Sequence, residues 1–392
     1  MNADYFPHKT QYDLHIDSKY YNSLYIEGFS LMMKDPSYCY KFYWLEAIVK
    51  LISEGVKDTT FDEVIDEMIC NAWYSVREYH IHLSGVQMDG EIRDGLERAV
   101  NKLAELSDLP SGASKLEIKN AIKEHNSELK DAKKQLTNMV PYRALAGFFT
   151  KSEDRADWES IKRMTAYIER VNKDVVLLPY TLGESSNLKK EIHFEPAWIE
   201  MIQDNTVSIL GWIQYEKVKW LQSNNPEVPG LVYKLAPGDE SVRKLGKVRV
   251  LWEEVIKHTD IRDVFTDDII LPKKYDVDHF IPRQFVMNDE LWNLMPMDSS
   301  LNSSKNNKLP KWDKFFGKFA KNQFVLYTFI YQSDVIHKRF ESCIGDNLHS
   351  MWAAQELYRK GNSRNEFYGI LEKNMQPVYD SARRQGYEVW NR

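Results

Sequence analysis

The sequence predicts a predominantly α-helical fold that contains one small α+β module of two strands and a helix. Before Tyr275, apolar residues recur mainly at helical spacing, and several segments open on residues that cap helices. Between Tyr275 and Pro310 the pattern changes to two short apolar runs followed by a polar segment. A chain of 392 residues exceeds one ordinary hydrophobic core, so two or three domains are expected.

The first predicted region, residues 1–195, is helical and is expected to select the substrate or to dock a partner. Thr60 and Glu63 have the spacing of a capping box, which predicts that a helix starts there. The predicted elements of this region are the helices Lys41–Ile52, Phe61–Tyr79 and Trp158–Val171 and one short strand, Val175–Leu182.

A second capping box, formed by Ser114 and Glu117, opens a helical segment that reaches about Asn138. Its apolar residues form a narrow stripe among charged ones, and they are Ile118, Ala121, Ile122, Leu129, Ala132 and Leu136. So narrow a stripe favours a helix packed on its domain through one seam, with a projecting helix that binds a partner as the alternative.

The second predicted region, residues 196–322, holds the α+β module and its helical scaffold, and the third, residues 323–392, is helical. The segment Asn225–Gly230 contains two prolines and a glycine, so it is predicted to interrupt the helices. The helices predicted in these regions are Asn205–Leu221, Val242–His258, Phe315–Phe340, Leu348–Lys360 and Asn365–Arg384.

The most informative residues of the chain are the adjacent pair Asp278 and His279. A strand is predicted to end at His279, because Pro282 cannot continue a ladder of hydrogen bonds. The apolar run Leu291–Met295 is predicted as the second strand, and it carries Asn293, 14 residues after His279.

A third polar residue of this pattern, Asn302, follows nine residues after Asn293. It lies in a polar segment that is predicted to start a helix, with Asp298 or Ser299 as the N-cap. Two strands and a helix in this order would bring together the side chains of Asp278, His279, Asn293 and Asn302.

These four residues, followed by Lys305 and Leu309-Pro310, strongly resemble the motif of the HNH endonuclease family. The resemblance implies a fold in which a β-hairpin and a helix surround one divalent metal ion. The roles that it implies are metal binding for Asp278 and Asn302, general-base catalysis for His279 and bracing of the histidine loop for Asn293.

The residue types suit the hydrolysis of a phosphodiester bond. This reaction needs a deprotonated water, a positive charge beside the transition state and help for the departing 3′ oxygen. An imidazole titrates near neutral pH and can take the proton from water. Carboxylate and amide oxygens are the hard ligands that Mg²⁺ prefers, so the expected cofactor is Mg²⁺, with Mn²⁺ as a substitute.

Asp276 is the alternative to Asp278 as a metal ligand. Side chains alternate between the two faces of a strand, so these two carboxylates share one face. Only Asp278 stands where the family motif has its ligand. Asp276 is therefore expected to be an exposed residue with a partner of its own.

Basic residues continue beyond the motif. Lys305 lies one helical turn after Asn302 and is expected to hold a phosphate oxygen. It is followed by a set of lysines at intervals of three or four residues, here called the lysine row: Lys308, Lys311, Lys314, Lys318 and Lys321. The row predicts a contact with the DNA backbone, with a solvated helix face as the alternative. A second candidate for such a contact is the group Arg243, Lys244, Lys247 and Arg249.

Composition narrows the remaining properties. Many HNH proteins carry a zinc knuckle, but Cys39, Cys70 and Cys343 are too far apart to form one, so no structural zinc is expected. Scattered cysteines, no visible signal peptide and no long apolar run predict a cytoplasmic protein without a membrane span. The net charge of −6 does not argue against a DNA partner, because a basic surface can be local.

The sequence thus predicts a metal-dependent endonuclease that cuts DNA, similar to stand-alone bacterial HNH proteins of restriction or phage defence. The alternative among enzymes is a nicking or homing endonuclease of a mobile element. The alternative outside enzymes is a subunit of a defence complex that acts mainly through contacts with a protein partner.

Overall fold

The described residues are predominantly helical, as predicted, and they form two small antiparallel sheets. The structure is a computed structural model, and it describes residues 14–33, 36, 38–85, 91–138, 140–148, 162–164, 166–168, 178–237 and 243–392. The chain forms two compact units, of which unit 1 is Met1–Asn225 with Lys234–Pro237 and unit 2 is Pro226–Tyr233 with Gly238–Arg392. The functional division into residues 1–195, 196–322 and 323–392 stays a prediction.

Unit 1 consists of helices that pack on one another and a three-stranded antiparallel sheet in which the last strand lies in the middle. The helices are α1 (Ile26–Leu31), α2 (Tyr40–Ser53), α3 (Phe61–Tyr79), α4 (Gly95–Leu106), α5 (Lys115–Glu124), α6 (Asn126–Leu136), α7 (Val140–Arg143), α8 (Pro196–Asp204) and α9 (Thr206–Asn224). The strands are β1 (Asp58–Thr60), β2 (Tyr180–Leu182) and β3 (Glu191–Phe194).

Both predicted capping boxes are present in unit 1. At the start of α3, the backbone N–H of Glu63 donates to the hydroxyl of Thr60, and the Glu63 carboxylate accepts from the Thr60 N–H at 3.1 Å. Ser114 and Glu117 form the same reciprocal pair at the start of α5. Each box satisfies backbone donors that the first turn of a helix leaves unpaired, so each marks a true helix start.

The helical segment predicted from Ser114 to about Asn138 is in fact two helices, α5 and α6, separated at His125. The apolar stripe faces the core, where Ile122 and Leu129 are buried. The helices are therefore packed on unit 1 and do not project from it. The predicted helix Trp158–Val171 falls mostly outside the described residues, and of the predicted strand Val175–Leu182 the described part pairs only as β2.

Unit 2 has one continuous hydrophobic core, which extends from Val248 to Trp390. Its helices are α10 (Gly246–His258), α11 (Arg283–Val286), α12 (Ser299–Lys305), α13 (Trp312–Gln332), α14 (Asp334–Asn347) and α15 (Arg364–Arg384). Its two-stranded sheet pairs β4 (Asp276–His279) with β5 (Leu294–Met297).

Two predicted elements of unit 2 are wrong in their bounds. The helix Phe315–Phe340 is divided into α13 and α14 at Ser333, whose hydroxyl accepts from the backbone N–H of Ile336 and caps the second helix. The helix Leu348–Lys360 is reduced to a short helical segment whose regular part, Ala353–Leu357, is a π-helix. The last helix, α15, agrees with its prediction.

The end of the chain packs against the residues that follow α12. The backbone N–H of Trp390 donates to Leu309 O at 2.7 Å, and the N–H of Leu309 donates to Glu388 O at 2.8 Å. The hydroxyl of Tyr379, on α15, donates to Pro310 O at 2.7 Å. These bonds connect the α+β module to the C-terminal helical region within one core.

Candidate functional site

The strands β4 and β5 form the antiparallel hairpin that the sequence predicts, and β4 ends at His279. In the register of the hairpin, Asp278 is opposite Met295 and His279 is opposite Leu294. The second strand lies later than predicted, because Leu291–Asn293 forms a 3-10 turn and only Leu294–Met297 is extended. The side chain of Asn293, the last residue of this turn, forms hydrogen bonds with the backbone of Ile281.

Asn293 is fully buried, and its side chain bonds twice to Ile281, the second residue after the histidine strand. Its Oδ1 accepts from the N–H of Ile281 at 2.8 Å, and its Nδ2 donates to Ile281 O at 2.8 Å. The backbone N–H of Phe280 also donates to Asn293 O at 2.8 Å. These three bonds hold the chain just after His279, which is where a brace of the histidine loop would act.

Helix α12 follows β5 directly and packs against β4. Asp298 is its N-cap, as predicted, because its Oδ1 accepts from the backbone N–H of Ser300 at 2.8 Å. The last turn of α12 contacts Asp278 through Lys305, and Asn302 lies one helical turn before Lys305 on the same helix.

Lys305, in the last turn of α12, is placed differently from its prediction. The side chain is fully buried, and its Nζ lies 2.8 Å from Asp278 Oδ2 and donates to His279 O at 2.7 Å. Two of the three ammonium donors are thus used within the protein. Lys305 fastens the helix to β4, and a contact between Lys305 and a phosphate oxygen stays a prediction that this arrangement does not favour.

His279 is buried, and its two ring nitrogens have different surroundings. Nε2 lies 3.1 Å from Asn288 O and 3.1 Å from Asp289 Oδ1. A backbone carbonyl only accepts hydrogen bonds, so Nε2 carries a proton, and in the neutral ring the lone pair is on Nδ1. In the part of the chain that the structure describes, no residue hydrogen-bonds to Nδ1. In the neutral ring, Nδ1 is therefore the nitrogen that can accept a proton.

Asp289, which the sequence analysis did not single out, belongs to this cluster. Its Oδ1 is 3.2 Å from Arg283 Nε, and its Oδ2 accepts from the backbone N–H of Lys244 at 2.7 Å. Burial raises the pKa of this carboxyl, but the hydrogen bonds from His279 and the Lys244 N–H, with the nearby charge of Arg283, outweigh burial and lower it. The one signal in the sequence was an acid in the connection between the two predicted strands.

Asp278 and Asn302 supply the oxygens that could hold a metal ion. Lys305 contacts only Oδ2 of Asp278, and Oδ1 has no hydrogen bond to the described residues; the side-chain amide of Asn302 likewise makes none there. Among the described residues no group of three or more His, Cys, Asp or Glu is suited to a metal. A carboxylate and an amide oxygen still fit Mg²⁺, because this ion keeps several waters and needs few protein ligands.

Asp276, the alternative ligand, has a partner of its own. Its Oδ1 is 3.1 Å from a guanidinium nitrogen of Arg249, which also donates to Tyr275 O at 3.0 Å. Both side chains are partly exposed. The position of Asp276 is thus that of the exposed, paired carboxylate described by the sequence analysis.

The comparison with known families agrees with this geometry. Residues 262–311 match a family described as HNH endonuclease. This segment belongs to the HNH endonuclease family. The HNH segment contains β4, β5 and α12 and all of the motif residues from Asp278 to Lys305. No curated protein and no solved structure shows significant similarity to the chain.

The lysine row starts within the HNH segment and continues along α13. Its members from Lys311 to Lys321 are exposed, while Phe315, Phe316 and Phe319 on the same helix are buried. Lys314 donates to Arg392 O at 3.0 Å, and the remaining close partners are acids, at 3.5 Å for Lys308 and 3.8 Å for Lys318. Exposed pairs of this kind are weak, so the row stays available for a DNA contact as a prediction.

No helix among the described residues is long and apolar enough to cross a membrane.

Proposed function

We propose that this protein is a metal-dependent endonuclease that hydrolyses phosphodiester bonds in DNA at the hairpin and helix of the HNH segment. The observation that carries the proposal is the state of His279. Its Nε2 is bound to a carbonyl oxygen and its Nδ1 lone pair has no partner among the described residues, directly beside Asp278. A buried histidine whose free nitrogen can only accept is suited to be a general base.

His279 would take a proton from a water molecule at Nδ1. The water oxygen would form a bond to phosphorus as the bond from phosphorus to the 3′ oxygen breaks, and that oxygen would leave with a proton from solvent. Asn293 would keep the histidine loop in place through its bonds to Ile281. Lys305 would keep Asp278 and β4 in register with α12.

Asp278 and Asn302 would hold Mg²⁺, or Mn²⁺ in its place. When bound, the ion supplies positive charge that stabilises the transition state and the departing oxygen. The free oxygens of Asp278 and Asn302 are the support for this assignment. The support for DNA as the substrate is the family match together with the lysine row.

For the biological role we propose restriction or anti-phage defence in the bacterial cytoplasm. The support is the resemblance to stand-alone bacterial HNH proteins. Unit 1 lies outside the HNH segment, so we propose that it selects the DNA or binds a protein partner of the same system.

Incubation of the purified protein with supercoiled plasmid tests the proposed function. We expect nicked or linear DNA in MgCl₂ or MnCl₂ and intact plasmid when EDTA replaces the metal. The variant His279→Ala, purified in the same way, detects a contaminating nuclease. An RNA transcript of the plasmid serves as a second substrate. Intact DNA in both metals would contradict the proposal.

A further inference from the structure

The connection between β4 and β5 carries a buried carboxylate, that of Asp289, and one of its oxygens contacts the ring of His279. The two oxygens have separate tasks. Oδ2 accepts from the backbone N–H of Lys244, at the residues that lead into α10, at 2.7 Å. Oδ1 lies between His279 Nε2 at 3.1 Å and Arg283 Nε at 3.2 Å.

The backbone of Asp289 is fixed as firmly as its side chain. Asn347, a buried residue at the end of α14, donates from Nδ2 to Asp289 O at 2.6 Å and to Lys244 O at 2.9 Å. The residues that bind Asp289 therefore lie in α11, at the end of α14 and just before α10. A group held by several elements keeps its place to a fraction of an ångström, which is what the orientation of a catalytic side chain requires.

A buried carboxylate is costly unless it is paired, and Arg283 with the Lys244 N–H already meets that need. The contact with His279 is thus additional to what the stability of Asp289 demands. The Asp289 carboxylate is a second acceptor for Nε2 beside Asn288 O, and unlike that carbonyl it carries a negative charge. Two acceptors at Nε2 keep the proton on that nitrogen and the lone pair on Nδ1.

We propose that Asp289 is a positioning residue, which holds the imidazole of His279 with Nε2 protonated and Nδ1 free to take a proton from water. The proposal rests on the proposed role of His279 as general base. Asp289 also faces the positive charge that His279 gains in the reaction, and attraction between opposite charges is stronger in a buried site than in water. Asp289 itself is buried, so it does not contact the substrate.

The variant Asp289→Asn tests the proposal, because the amide keeps the shape of the carboxylate and one oxygen that can accept from the Lys244 N–H. The matched control is Glu290→Gln. Glu290 is the next residue, also buried, and accepts from Trp292 Nε1 at 2.9 Å and from the Ser350 N–H at 3.1 Å without touching His279.

We expect Asp289→Asn to lower kcat by about 10- to 100-fold, a part of the roughly 100- to 10,000-fold that general-base catalysis supplies. The KM for DNA and the thermal midpoint should stay close to those of Glu290→Gln, whose kcat should equal that of the wild type. A kcat of Asp289→Asn within about twofold of wild type would overturn the proposal. So would an equal loss of kcat in both variants, since that would show a structural effect only.

Nitrogen-15 spectra of the histidine rings provide a readout that does not depend on cleavage. The His279 signals are assigned by their absence in His279→Gln. In the wild type they should show a single form protonated at Nε2, and in Asp289→Asn a mixture of the two neutral forms. If the wild-type protein cuts neither DNA nor RNA, the proposed function fails by itself, and the spectra still decide the positioning role. Unchanged His279 signals in Asp289→Asn would then overturn it.

Discussion

Both compact units bury charged side chains, but they use them differently. In unit 1, three sets of buried charges in the described residues are matched by opposite charges. These sets are Glu46 with Lys217 at 2.7 Å and Lys50 at 2.9 Å, Glu67 with Lys115 at 2.7 Å and Lys119 at 2.9 Å, and Lys133 with Asp62 and Asp66, both at 2.5 Å. The Lys217 and Lys50 charges oppose the effect of burial and lower the pKa of Glu46.

In unit 2 several polar residues lie around the hairpin of β4 and β5, and some of their atoms have no protein partner. Among the described residues, Nδ1 of His279, Oδ1 of Asp278 and the side-chain amide of Asn302 have no hydrogen-bond partner. Other atoms of the first two side chains are bound, because Lys305 contacts Asp278 and Asp289 contacts His279. The comparison teaches that buried charge alone does not locate a functional site. Fixed polar groups with unused bonding capacity, gathered in one place, are the better indicator, and they are the basis of the proposed site.

The largest effect that the comparison predicts is the loss of His279. His279→Ala should lower the rate of DNA cleavage by about 100- to 10,000-fold and leave folding and DNA binding nearly unchanged, because it removes the proposed proton acceptor. Single-turnover cleavage of a labelled duplex in MgCl₂ measures this. The control is His193→Ala, an exposed histidine of unit 1 that pairs with Asp58. Cleavage at nearly the wild-type rate by His279→Ala would remove the central assignment.

The second prediction separates the two carboxylates of β4. Asp278→Ala should abolish the Mg²⁺-dependent activity, because it removes the carboxylate assigned to the metal. Asp276→Ala should lose little, because Asp276 is occupied by Arg249. Cleavage measured across a titration of MgCl₂ ranks the two variants. The opposite ranking would show that the ligand had been assigned to the wrong residue.

A third prediction concerns unit 1, where the buried charges should matter for stability alone. Lys217→Met should lower the free energy of unfolding by about 3 kcal/mol, since it leaves Glu46 buried with a weaker set of partners. Urea unfolding measures the change. Lys219→Met, two residues along the same helix, removes only an exposed pair with Glu216 and should change the free energy by less than about 0.5 kcal/mol. A loss of kcat in folded Lys217→Met protein would contradict the proposed contrast between the units.

The smallest expected effect is that of the lysine row. Replacement of Lys311, Lys314 and Lys318 together by Gln should weaken binding of all DNA sequences alike. The dependence of binding on salt should become shallower by about one unit for each lost phosphate contact. Titration of a labelled duplex at several salt concentrations measures the slope. Lys123, Lys130 and Lys134 of unit 1, replaced in the same way, are the control for net charge. An unchanged slope would assign the row to solvent.

Features that depend on neighbouring residues could be predicted from the sequence. The end of β4 near Pro282, the Asp298 cap and the capping box at Thr60 all follow from residues a few positions apart. The burial of Lys305 could not be predicted, because its partners, Asp278 and His279 O, are 27 and 26 residues away in the chain. The contact of Asp289 with His279 depends in the same way on the path of the hairpin connection.

The bonds from Trp390 and Glu388 to Leu309 have a consequence for the synthesis of the protein. The HNH segment is complete in sequence at residue 311, but its last residues lack their packing partners until the chain has been made as far as Trp390. A nascent chain on the ribosome therefore carries an unfinished catalytic module. Ribosome-bound chains that stop after α14 should be cut by a protease within the HNH segment, and released chains should resist it.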